Sequence, residues 1–260
     1  HQTEIMGAFL TLSTLAAVIL LAICRGFCVD IIGGVEVAPH SRPFMALILK
    51  ANEGLCGGAL IKKNWVLTAA HCAKVDGKVI LGAHSQEKKE KEKQTFRIEK
   101  KIPHPHYCSS SKENDIMLIK LHKKAKINKA VQIIDLPTSD DDLKPGTTCT
   151  VAGWGQTHNE KNSSSDTLRE VNVTIISRQI CNDKYKKSAV ITDNMICAGN
   201  KKGGKDSCNG DSGGPLRCNN VMRGITSFGM KNRCGAADYP GVYTLLTKQY
   251  LQWIRNTIGG

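Results

Sequence analysis

The chain has 260 residues, 41% of them hydrophobic, enough to bury a sizeable core in one large domain or two small ones. That composition is ordinary for a globular protein and excludes a disordered or fibrous chain. Against it stands a formal charge of +13, from 36 Lys and Arg and 23 Asp and Glu. Such an excess implies an acidic partner (a sulfated glycan, an anionic membrane or nucleic acid) or a basic surface kept for solubility.

In chain order, residues 1–28 read as a signal peptide. Met6 to Ile23 is apolar and uncharged, ends before Arg25, and is followed by the small residues Gly26 and Cys28. The usual basic start is missing and the chain begins with His1, so residues 1–5 read as upstream translated sequence. An uncleaved anchor is the alternative; once the signal is removed, no membrane span is expected. From Asp30 onward the chain reads as short strands punctuated by turns. Examples are Phe44–Leu49, Gly58–Ile61, Val79–Leu81, Thr95–Glu99, Ile116–Leu121, Cys149–Trp154 and Leu168–Ile176. Pro137 to Pro145, with three consecutive aspartates, reads as a linker between two halves, and Glu87 to Lys93 as a solvated charged loop. Only Lys248 to Thr257 has helical spacing, with Tyr250, Leu251, Trp253 and Ile254 on one side. Many strands and one terminal helix predict an all-β barrel or sandwich.

Eleven cysteines in a chain with a signal read as a disulfide framework. Cys24 and Cys28 fall in the signal, which leaves an odd number, so at least one is free or bonded to another chain. Metal binding is the weaker alternative, because no Cys-x-x-Cys pair or His cluster has ligand spacing. No metal and no cofactor is expected.

Three stretches carry chemistry. Gly210-Asp211-Ser212-Gly213-Gly214 holds one serine among glycines. A serine hydroxyl is a weak nucleophile that needs a base and oxyanion donors, and glycines let backbone N–H groups converge without a Cβ in the way. A tight turn looks similar. Leu67-Thr-Ala-Ala-His71-Cys72 sets a histidine after an apolar strand, where a lone histidine is more often structural. Asn114-Asp115-Ile116 sets a carboxylate at the mouth of another strand, where it fixes an imidazole tautomer or merely caps a turn. Together they give the order His71, Asp115, Ser212, which is that of the chymotrypsin type.

On these residues the region from Ile31 to Gly260 resembles the chymotrypsin/trypsin family over its whole length. The resemblance implies two six-stranded antiparallel barrels with a C-terminal helix, barrel one at about 31–137 and barrel two at about 138–260. His71, Asp115 and Ser212 become the catalytic triad, and the N–H groups of Gly210 and Ser212 the oxyanion hole. Ile31-Ile-Gly-Gly34 resembles the activation site, whose freed amino group pairs with Asp211. Asp206 matches the pocket floor of members that cleave after Arg or Lys. Gly229 and Gly241 match its small walls, and Ser227-Phe228-Gly229 the edge strand that binds substrate backbone. Phe228 replaces the Trp common in digestive trypsins. The family pattern pairs Cys56–Cys72, Cys149–Cys218, Cys181–Cys197 and Cys208–Cys234, and leaves Cys108 over.

Within the family, Pro39–Met45, Val79–Ser85, Ser165–Val171 and Thr226–Gly229 resemble the granzyme A and K group of lymphocyte granule proteases. Lys124–Lys129 and Cys208-Asn209-Gly210 lean to the A type; Gly214 leans to the K type. This group implies protein substrates, secretion into cytotoxic-cell granules, a role in cell-mediated cytotoxicity and packing with an acidic proteoglycan. From residue 31 on, 35 basic residues face 21 acidic ones, a net +14. A signal cut after Cys28 leaves Val29-Asp30 as an activation dipeptide. Cys108 lies two positions later than the cysteine that would link a homodimer, so an interchain disulfide and a free thiol both stay open. Asn162 and Asn172 begin N-glycosylation sequons. Ala83 stands where the calcium loop of trypsins has an acidic ligand, so no calcium is expected. A non-catalytic protease-like binding protein is the rival reading, and nucleic-acid binding has only the charge behind it.

Overall fold

A computed structural model describes residues 31–49, 55–74, 77–139, 141–159 and 164–259. The signal, the activation dipeptide and Asn162 lie outside the described residues. The first half supplies β1 Val35–Glu36, β2 Met45–Leu49, β3 Leu55–Lys62, β4 Trp65–Thr68, β5 Lys78–Leu81, β6 Gln94–Pro103 and β7 Met117–Leu121. Of these, β2 to β5 and β7 are short, largely apolar and mostly buried, whereas β1 is exposed and β6 buries only Phe96. Strands buried on both faces lose the strict alternation of a half-exposed sheet, which fits a closed barrel. β2 to β7 close in the order β2-β3-β4-β7-β6-β5, every contact antiparallel.

The second half supplies β8 Thr148–Gly153, β9 Arg169–Ile176, β10 Met195–Gly199, β11 Pro215–Cys218, β12 Val221–Phe228 and β13 Gly241–Leu245. Their order is β9-β10-β13-β12-β11-β8, and β8 pairs back onto β9, which closes a second six-stranded antiparallel barrel. The expected fold class is therefore the observed one, and each predicted strand is present with ends moved by a few residues.

Chain order and packing part company at both ends. β1 adds to β9 of the second barrel through Val35 opposite Glu170. The C-terminal helix packs on the first barrel, its Tyr250, Leu251 and Ile254 joining Leu67, Leu118 and Phe96 in one core. The first strand and the last helix of the described residues thus each strap the opposite barrel across the seam. Trp154 is wholly buried there, its Nε1–H donating to the His84 carbonyl at 2.8 Å.

A second helix corrects the expectation that only the C-terminal stretch is helical. Helix α1 spans Arg178–Tyr185, capped by Ser177 Oγ, which accepts from the Ile180 N–H; the terminal helix, α2, spans Lys248–Ile258. In α1 only Cys181 and Tyr185 are buried, four residues apart, so two turns leave too little periodic signal to be read. All four expected disulfides are closed, and Cys108 is free and half-buried. Asn172 points outward from β9. Among the described residues no helix is long and apolar enough to cross a membrane.

Candidate active site

The wholly buried β4 delivers the chain to the seam, where a 3-10 turn, Ala70–Lys74, carries His71. Cys56–Cys72 ties that turn to β3. Asp115, two residues before β7, is fully buried. Its Oδ1 accepts the His71 backbone N–H at 2.9 Å, and its Oδ2 lies 2.7 Å from His71 Nδ1. Ser227 Oγ donates to the same Oδ2 at 2.5 Å. A carboxylate only accepts, so it holds the imidazole proton on Nδ1 and leaves the Nε2 lone pair free.

Two glycines show how the serine loop is fitted. Gly213 has φ +82°, and a Cβ there would sit 2.1 Å from Thr68 Oγ1 and 2.6 Å from the Gly57 carbonyl. Gly210 has φ +99°, with the Gly155 backbone 2.9 Å from where its Cβ would be. Only glycine accepts both the left-handed backbone and the close approach. The loop bridges the barrels: the Ser212 carbonyl accepts from Gly57 N–H at 2.8 Å, and Gly213 N–H donates to the Thr226 carbonyl at 2.8 Å. The N–H groups of Gly210 and Ser212 have no acceptor among the described residues.

Asp211 is fully buried and points away from the cleft. Its oxygens accept the N–H groups of Gly155 at 2.8 Å and Cys208 at 2.9 Å, yet burial pushes its pKa up to about 6. Ile31 is equally buried, packed with Val151 and Tyr243, and the next carbonyl, of Ile32, accepts the Asp206 N–H at 3.1 Å.

A cavity of about 220 Å³ opens at the seam with His71 and Ser212 at its mouth and Asp206 at its base. Asp206 is buried; Oδ2 accepts from Gly235 N–H at 3.1 Å, while Oδ1 has no hydrogen-bond partner among the described residues. Burial pushes its pKa up to about 7. A Cβ at Gly241 would lie 2.6 Å from that Oδ1, whereas one at Gly229 would meet nothing within 4 Å. Phe228 lines the cavity with its ring edge-to-face on Tyr185, centroids 6.0 Å apart. Ser227 to Gly229 are not a plain edge strand. β12 is paired on both sides, but its pairing with β11 stops at Ile225, so its last residues overhang the cavity with one side open.

The named catalytic and pocket residues His71, Asp206, Ser212, Ser227, Phe228 and Gly229 line this one cavity, and Asp115 and Gly241 contact its lining. Asn172 and the cysteines Cys149, Cys181, Cys197 and Cys218 lie outside that lining. Sequence reasoning missed Lys112 and Lys231, which also line the cavity, and the Ser207 Oγ–Tyr243 Oη contact of 3.1 Å beneath it. None carries a motif; only tertiary proximity reveals them. Cys56, Cys72 and His71 are the one cluster of metal-type donor atoms among the described residues, and its two sulfurs are bonded to each other.

Likeness to known proteins bears on this geometry. Residues 31–254 match the trypsin family. Granzyme A of Bos taurus is 55% identical over 236 residues, covering 90% of each chain. Human kallikrein-8 is 44% identical over 232 residues, covering 88% of this chain and 86% of its own. Duodenase-1 of Bos taurus is 42% identical over 231 residues, covering 88% and 89%. With two antiparallel barrels and this seam, the chain belongs to the trypsin family as a granzyme A-like serine endopeptidase.

Proposed function

We propose that the chain cleaves proteins after Arg or Lys by acyl transfer through Ser212, with His71 as general base and Asp115 as its orienting partner. The observation that carries this is Asp206 Oδ1, a buried acceptor with no hydrogen-bond partner among the described residues, at the base of a cavity whose mouth holds His71 and Ser212. A substrate guanidinium or ammonium supplies the missing donor and compensates the buried charge. His71 Nε2 takes the Ser212 proton as Oγ attacks the carbonyl, and the N–H groups of Gly210 and Ser212 receive the oxyanion. The imidazolium returns the proton to the leaving amine, and water then hydrolyses the acyl-enzyme by the same steps reversed. The test is an Arg or Lys ester against a Phe or Glu ester, with Ser212→Ala as control; full activity in that variant refutes the assignment.

Activation follows from two buried groups. Freeing the Ile31 amino group by removal of residues 29–30, after signal loss at 28, supplies an ammonium to pair with Asp211 in the interior. Asp211 and Ser212 are neighbours, so the pairing holds the oxyanion loop in its working form.

The same reading extends to partners and place: a secreted granule protease of cytotoxic cells, stored with an acidic proteoglycan. On the face of barrel one, Lys78 stands opposite Arg97, and Lys100 opposite Lys120, whose Nζ also pairs with Glu99 Oε1 at 2.7 Å. Like charges directly opposed destabilise a sheet, and a polyanion laid across them relieves the repulsion. Retention on a heparin column that resists moderate salt and falls with Lys100→Gln supports it; elution at low salt refutes it. Cys108, free and close to the surface, provides the thiol for a disulfide-linked homodimer, and Asn162 and Asn172 the acceptors for N-glycans.

A further inference from the structure

The cavity is electrically bipolar. Its base is Asp206, the one carboxylate in its lining, and its rim carries two ammonium groups, Lys112 and Lys231. They come from opposite barrels. Lys112 is half-buried in the turn before Asp115 and is held at φ +60°, while Lys231 is exposed, two residues past Gly229 on the continuation of the β12 overhang. Neither has a carboxylate within ion-pair distance among the described residues, although Arg42, Lys120 and Arg178 each pair with one elsewhere. Two unpaired cations over a groove favour a negative ligand, since a concave wall of low dielectric concentrates their field.

A substrate whose basic side chain reaches Asp206, and whose backbone pairs with the open side of Ser227–Gly229, must run its preceding residues between these two lysines. We propose that Lys112 and Lys231 select substrates with an acidic side chain two to four residues before the scissile bond, so that the preferred sequence is itself bipolar: acid first, then Arg or Lys. This rests on Asp206 as the pocket for the basic residue. The same pair disfavours a second basic residue upstream, which separates this cleft from one tuned to dibasic sites.

The test uses the activated protease and peptides with Arg fixed before the cleaved bond. Asp, Asn or Lys is placed in turn at the second, third and fourth positions back. Each ratio is taken within one enzyme variant, so a general loss of activity cancels. An exposed charge pair supports an Asp over Asn preference in kcat/KM of about threefold to tenfold at low salt in at least one position, with Lys below Asn. Lys112→Gln and Lys231→Gln each reduce the ratio, and the double variant brings it near one. Asp and Asn peptides cut equally at all three positions, or a ratio unchanged in the double variant, overturns the inference while leaving cleavage after Arg intact. Failure to cut the Asn peptides after Arg overturns the Asp206 reading instead.

Discussion

Ser227 Oγ and Asp115 Oδ2 lie 2.5 Å apart across the seam, one residue from each barrel, on the oxygen that also meets His71 Nδ1 at 2.7 Å. The carboxylate that orients the imidazole is thus clamped by the barrel that carries Ser212. Ser227→Ala removes one charge-assisted donor worth about 1.5–3 kcal/mol, part of which the imidazole N–H retains. We expect kcat to fall about tenfold with KM nearly constant, as for a group that positions the base without touching substrate. Unchanged kcat in steady-state kinetics would falsify the clamp.

Gly241 leaves room for a side chain to reach Asp206. A Cβ there falls 2.6 Å from Oδ1 and 3.0 Å from Tyr243 Oη. Gly241→Ala should therefore cut kcat/KM on Arg and Lys esters by about a hundredfold or more, because the basic side chain can no longer reach the carboxylate that would pair with it. Circular dichroism should show the fold retained. Normal hydrolysis by a folded variant would mean the basic side chain enters elsewhere.

Asp206 titrates near 7 because burial disfavours its charge. A bound amidinium favours the carboxylate, so benzamidine binding should release a proton near pH 6.5, and affinity should fall up to about tenfold per unit as pH drops further. The same shift acts oppositely on stability. The folded state holds a proton that the unfolded chain gives up at the ordinary carboxylate pKa. Stability from this group is therefore full below about 4 and is lost as pH rises to about 7. Calorimetry in buffers of different ionisation enthalpy reads the proton directly, and Asp206→Asn should abolish its release.

Asp211 is a second buried carboxylate whose pKa is pushed up, to about 6. Asp211→Asn keeps the shape but removes the charge that the freed Ile31 ammonium needs, and leaving that ammonium buried alone costs about 3–5 kcal/mol. We expect the activated variant to lose at least about a hundredfold in kcat/KM and to react slowly with a fluorophosphonate at Ser212. Labelling at the wild-type rate would show that the loop orders itself without the pair.

Cys108 Sγ lies 3.2 Å from Ser110 Oγ, and hydrogen bonds from Ser110 and Ser111 lower its pKa to about 6. The thiolate is the reactive form, so alkylation of the reduced protein should be nearly flat above pH 7 and slow below 6. Non-reducing electrophoresis of the secreted protein should show a dimer that Cys108→Ser removes; a monomer alone would dismiss the interchain bond.

The order His71, Asp115, Ser212 and the glycines beside the serine were legible in the sequence, because each is a residue type that its chemistry demands; the carboxylate at 206 was legible only through the family resemblance. Strands β2, β3, β5 to β9 and the terminal helix were legible too, their apolar runs being long enough to carry a period. Helix α1 was not, since two turns with two buried residues carry almost none. Nor was the crossing of the termini, which is decided by which barrel has an open surface for β1 and for α2.

Tertiary structure alone decided the rest. Ser227 reads in sequence as a backbone-binding strand residue, and only the approach of the barrels turns its hydroxyl onto Asp115. Lys112 and Lys231 lie 119 positions apart and carry no motif, yet they share one rim. Local chemistry names the residues that must be present. How far apart they stand, and which charge is left without a partner, is set by the packing of two barrels that no short stretch of sequence encodes.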